Sequence, residues 1–103
     1  MAHIPPDKVI SPKNSWRLVD VIIDKGPEDC AYSIGMWDSE RRIGFRWNGS
    51  DDKDKSPLGN PQSRGLPTWT ILDPDLHQAV VKLVEKLNPN KASIVRAFLA
   101  MKV

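Results

Sequence analysis

The sequence predicts an α+β fold: a three- to four-stranded antiparallel sheet with two C-terminal helices packed on one face. Three observations carry the prediction. The first half of the chain alternates apolar and polar residues with a period of two, as in CAYSIGMW and RIGFRW. The last thirty residues switch to helical spacing behind a strong helix-start signal. The order is strands first and helices after, which favours segregated layers over a parallel α/β sheet.

Residues 1–14 contain three prolines and no periodicity, and read as an irregular N-terminal arm. The single domain then spans 15–103. WRLVDVIID (16–24) is rich in β-branched residues and reads as a strand that is apolar in both phases. DKGPED follows as a turn. In CAYSIGMWD (30–38), Tyr32, Ile34 and Met36 share one side. In RIGFRWN (42–48), Ile43, Phe45 and Trp47 share one side. A connection over Asp38–Arg41 sets Met36 opposite Ile43, Ile34 opposite Phe45, Tyr32 opposite Trp47 and Gly35 opposite Gly44. All six apolar side chains then lie on the face that the helices cover.

Residues 48–66 form a long loop. DDKDK has nothing to bury, so 48–56 reads as a mobile, solvated tip. PLGNPQSRGLP is built of turn formers, with Gly59-Asn60-Pro61 and Arg64-Gly65 as two turns, and reads as an ordered polar loop. LPTWTIL (66–72) reads as a fourth strand, with Pro67 at its start or edge. Asp73 is the N-cap of the first helix and Pro74 its first residue. Leu76, Ala79, Val80, Leu83, Val84 and Leu87 form its apolar stripe. After NPN, KASIVRAFLAMKV reads as the second helix, burying Ile94, Val95, Phe98 and Leu99.

Composition is that of a soluble domain, with 40% hydrophobic and 27% charged residues and a net charge of +2. No apolar run approaches the roughly 18 residues of a membrane span. The N-terminus lacks an apolar signal core, and the single Cys30 suits a reducing compartment, so the expected location is cytoplasmic. Residues 1–40 carry four Lys/Arg against seven Asp/Glu, whereas 41–64 carry six against three. This asymmetry raises the question of an anionic partner.

The ingredients of catalysis are sparse. His3, Cys30 and His77 have no ligand-like spacing, so neither a metal nor another cofactor is expected. His77 reads as a surface residue. Glu28 and Asp29 beside Cys30 disfavour a thiolate. GNPQSRG lacks the Gly-Lys-Ser/Thr ending of a phosphate-binding loop. No catalytic residue is assigned.

The functional expectation is therefore a small non-enzymatic binding protein with a macromolecular partner, a protein being favoured. The second sheet face would present Ser33, Gly35, Trp37, Arg42, Gly44 and Arg46. If that face is open, Trp37, Arg42 and Arg46 form a platform beside Asn60, Gln62 and Arg64 of the loop. If Trp16 or Trp69 lies over the glycines, the arm and loop cover it instead. A nucleic acid, held by arginine–phosphate contacts and base stacking, is the alternative partner. A small enzyme is the third reading.

Overall fold

The computed structural model describes residues 2–101. The expected α+β architecture is present. β1 (Trp16–Asp24), β2 (Cys30–Trp37) and β3 (Glu40–Trp47) form an antiparallel meander. The second half of the long loop carries β4 (Gln62–Ser63) and runs into β5 (Leu66–Pro67), and β6 (Thr70–Ile71) follows. The main sheet has the order β1-β2-β3-β6, and β4 and β5 make a separate two-residue ribbon. Helices α1 (His77–Leu87) and α2 (Ala92–Ala100) close the chain, each preceded by a 3₁₀ turn. Lys102 and Val103, assigned by the sequence to the second helix, lie outside the described residues. No described helix is long and apolar enough to cross a membrane.

The β2–β3 register differs from the expected one by two residues. Asp38 takes the left-handed conformation at φ 52°, which aspartate tolerates better than most residues. The turn therefore tightens to two residues, with Trp37 opposite Glu40. Gly35 now faces Arg42 and Gly44 faces Ser33, rather than each other. A shift of two keeps every side chain on its own face, where a shift of one would have inverted the sheet.

β1 is apolar in both phases because its register slips twice, between Leu18 and Asp20 and between Val21 and Ile23. The slips keep Trp16, Leu18 and Val21 on one face and move Asp20 and Ile23 to the other. There Asp20 meets Lys91 at 2.6 Å.

On the helix face, Ile22, Ile23, Ile34 and Ile43 pack against Val80, Val81, Val84, Ala92 and Val95. The stripe of α1 is rotated from the expected one. His77, Val80, Val81 and Val84 point inward, while Leu76 and Leu87 stay about half exposed. His77 is thus buried rather than superficial, because the i, i+3, i+4 row of valines that meets the sheet begins at its position. In α2, Ala92 and Val95 face the core and Ile94 points away. Asp73 caps the 3₁₀ turn Pro74–Leu76 that leads into α1, rather than α1 itself, which starts at His77; its carboxylate accepts from the Asp75 N–H at 2.9 Å.

The second face is covered, so the open platform does not exist. Trp16 and Trp69 lie over it with Val9 and Ala31, flanked by Ile4, Leu18, Val21, Trp37 and Ile71. The two glycines make the room. A Cβ on Gly35 would sit 2.5 Å from the Trp16 ring and 2.6 Å from the Arg17 carbonyl. One on Gly44 would sit 3.2 Å from both indoles. Trp69 also splits the expected 66–72 strand. Its backbone N–H donates to the Ser11 carbonyl at 3.0 Å and its indole N–H to the Val9 carbonyl at 2.5 Å. The chain turns inward there, leaving only Thr70–Ile71 to pair with β3.

Candidate functional site

The six residues singled out by the sequence divide into two groups. Trp37, Arg42 and Arg46 are committed to the fold. Trp37 is half-buried against the tryptophan cluster. Arg42 donates to Glu40 at 2.5 and 3.0 Å and to the Leu72 carbonyl at 3.3 Å. Arg46 is completely buried. Its guanidinium donates to the carbonyls of Thr68 (2.5 Å), Leu58 and Trp47 (3.4 Å). Burial pushes its pKa below the usual guanidinium range, yet arginine keeps its proton in proteins. No carboxylate lies within ion-pair distance of it among the described residues. An interior cation paired only with backbone carbonyls is a clasp: it fastens the start, middle and end of the long loop together.

Asn60, Gln62 and Arg64 form the second group, and all three are exposed on the loop that Arg46 fastens. Asn60 exchanges backbone hydrogen bonds with Trp47, both at 2.8 Å. Gln62 donates from Nε2 to the Gly59 carbonyl at 2.8 Å. Arg64 and Gly65 form the two-residue turn of the β4–β5 ribbon with φ 52° and 78°, the backbone signature of a type I′ hairpin turn. Gly59, at φ 69°, approaches so closely that a Cβ would lie 2.0 Å from the Trp47 carbonyl. These bonds and close contacts make 57–67 an ordered structure.

Trp47 is the residue that sequence reasoning missed here. The alternation assigned it to the helix-covered face. In the structure it stands opposite Cys30 at the end of β3, with 44% of its surface exposed. It rims a shallow depression of about 180 Å³ with Asn60, Gln62, Glu28, Ser50 and Lys55. Glu28 accepts from Lys55 and Ser50, each at 3.0 Å. These bonds hold its carboxyl below the usual range and raise Lys55 in turn. The pair is exposed and contributes orientation more than energy.

The tip itself is shorter than expected. Asn48, Gly49 and Ser50 are buried, and the Asn48 amide donates to Asp24 (3.0 Å) and the Gly26 carbonyl (2.9 Å). Only 51–56 remains solvated. Among the described residues, no group of three or more His, Cys, Asp or Glu could hold a metal. Burial, aided by Asp29, pushes the Cys30 thiol up, away from a nucleophilic thiolate.

No protein-family model matches the chain, and neither a curated protein nor a solved structure shows significant similarity to it.

Proposed function

We propose that this chain is a non-enzymatic binding protein that recognises a protein partner through Trp47 and the 57–66 loop. The observation that carries the reading is an exposed tryptophan held on a rigid strand end and framed by Asn60 and Gln62. Tryptophan and arginine are the residue types most often found at energetic centres of protein interfaces. A loop fixed before binding loses little conformational entropy on contact. The Arg46 clasp and the Trp47–Asn60 backbone pair supply that order.

The nucleic-acid alternative is weaker on charge. Of the arginines that would have met phosphates, Arg46 is buried inside the fold and Arg42 is paired with Glu40 at the surface. The neighbouring tip, Asp51 to Lys55, carries three acids and two lysines. Polyanion binding depends on net phosphate neutralisation, and this surface offers little.

The test compares three versions of the immobilised protein for retention of a polypeptide from an extract of the source cells. Wild type and Ile94→Ala, changed at an exposed residue of α2, should retain the same polypeptide, and Trp47→Ala should lose it. Retention by all three, or by none, defeats the reading. Binding of generic oligonucleotides near 50 mM salt, weakened by Arg64→Ala, would favour the nucleic acid instead.

A further inference from the structure

A second surface lies along the free edge of β1. β1 is the terminal strand of the sheet and has no strand partner on its outer side among the described residues, although its Ile22 carbonyl already accepts from the Asn88 side-chain amide at 2.8 Å. Between this edge and the arm runs a groove of about 870 Å³. Its lining includes Ile10 and Val19, 51% and 52% exposed, with half-buried Leu18 and Val21 below them. Exposed strand edges are usually guarded, because they template pairing with another chain.

The charges that β1 and its approach contribute to the groove are ordered, and Asp7 adds a carboxylate from the arm. Lys13 and Arg17 lie where β1 begins, and Asp20 and Asp24 towards its end. Neither Lys13 nor Arg17 has a carboxylate within ion-pair distance among the described residues. An extended segment laid antiparallel to β1 would be matched if it were basic first and acidic last. β1 and its approach, KNSWRLVDVIID, have that order themselves.

We infer that the occupant of this groove is the β1 edge of a second copy of the chain. A two-fold axis midway between Asp20 and Val21 sets Arg17 opposite the other copy's Asp24, and the symmetry makes the contact twice. The same axis maps the slip after Leu18 onto the slip after Val21. The two irregular, twisted stretches of the edge therefore meet each other rather than a regular ladder. Val19 comes to face Ile22 of the other copy, and the half-exposed Ile10 and Val19 are covered. Asp20 lies near its own copy at the axis, where Lys91 at 2.6 Å already offsets its charge. An in-register parallel pairing would instead set Arg17 against Arg17 and Asp24 against Asp24. The antiparallel contact is isologous and closes on itself. It extends the sheet to eight strands, and the far edges are only the two-residue β6.

Sedimentation of the wild-type protein from about 5 to 500 μM tests this directly. A reversible monomer–dimer equilibrium is expected. Arg17→Asp turns two attractive contacts into repulsive ones and should weaken the dimer about tenfold or more, since the symmetry repeats the change at both contacts. Val19→Asp, at a position open in the monomer, should leave only monomer, and Ile94→Asp should change nothing. Amide exchange on the unmodified protein supplies an independent reading. Protection of residues 17–24 should rise with concentration. A monomer at 500 μM overturns the inference, and so does a dimer indifferent to Arg17→Asp and Val19→Asp. Neither outcome touches the Trp47 surface, which lies outside the groove.

Discussion

Replacing Arg46 with methionine removes the clasp of the long loop while keeping most of the side-chain volume. The magnitude follows from what is left behind. Two short hydrogen bonds, to Thr68 and Leu58, disappear along with a marginal third at 3.4 Å to Trp47. Each carbonyl left buried without a donor costs about 1–3 kcal/mol, so two give about 2–6 kcal/mol. The folded state recovers the cost of burying a cation, which reaches several kcal/mol per ion and offsets part of this. The expected net loss is about 2–3 kcal/mol. For a domain of about 100 residues this lowers the melting temperature by roughly 8–24 °C, at 4–8 °C per kcal/mol. Urea unfolding measures the loss. Amide exchange locates it, with faster exchange expected at Asn60 and Thr68, whose N–H groups donate to the Trp47 and Pro61 carbonyls. Arg46→Ala adds a cavity and should cost more than Arg46→Met. Arg46→Lys offers no planar fork and should fall between Met and wild type. An Arg46→Met protein within about 0.5 kcal/mol of wild type, with unchanged exchange in the loop, would refute the clasp. The desolvation penalty would then have cancelled the bonds, and the order of the 57–67 loop would need another cause.

Gly35→Ala should destabilise by about 1–3 kcal/mol, the usual cost of overpacking, because its Cβ meets the Arg17 carbonyl, which is backbone. Gly44→Ala should cost less, since its nearest obstacles are side chains, and urea midpoints will rank the two. Asp73→Ala should cost about 1 kcal/mol in chemical denaturation, the value of a lost N-cap. His77 gives a pH signature. Burial first, and then Arg42, lowers its pKa below the usual 6.5, with Asp73 opposing. The unfolded chain therefore takes up a proton before the folded one does. Stability is complete above about pH 6.5 and erodes as pH falls through the folded-state pKa. His77→Gln should flatten that stretch of the stability–pH curve. Backbone relaxation should show 51–55 mobile and 57–66 rigid, and uniformly low order parameters across both would remove the preformed loop.

Period-two alternation was enough to assign residues to faces, because a face depends only on the parity of the register. That is why Tyr32, Ile34, Ile43 and Phe45 lie where their spacing puts them, although the turn is two residues shorter than expected. The register itself hung on whether Asp38 would accept a positive φ, which composition does not reveal. The two glycines on this face announced a close approach to the backbone, but glycine alone does not choose between an outside group and the chain's own tryptophans. Of the two arrangements the sequence leaves open, the covered one is present: Trp16 and Trp69 both lie over the glycines, and the face is a second core rather than a platform. Arg46 was misread for a related reason. Arginine is normally a surface residue, and only the folded loop places two carbonyls where a guanidinium can satisfy them in the interior. Trp47 was misread in the opposite sense: its phase is apolar, but the strand carries it to the loop junction, where it stands 44% exposed. Both errors have one source. Alternation gives the direction of a side chain, whereas burial depends on which later segment lies across it. The covering residues here, Val9 of the proline arm, Trp16 at the start of β1, Leu58 of the loop and the Thr68–Trp69 step between β5 and β6, come from stretches whose periodicity does not announce them. The proposed recognition surface therefore lies at the end of the hairpin rather than on its face, where Asn60 and Gln62 line the depression beside Trp47 and Arg64 stays exposed on the same loop.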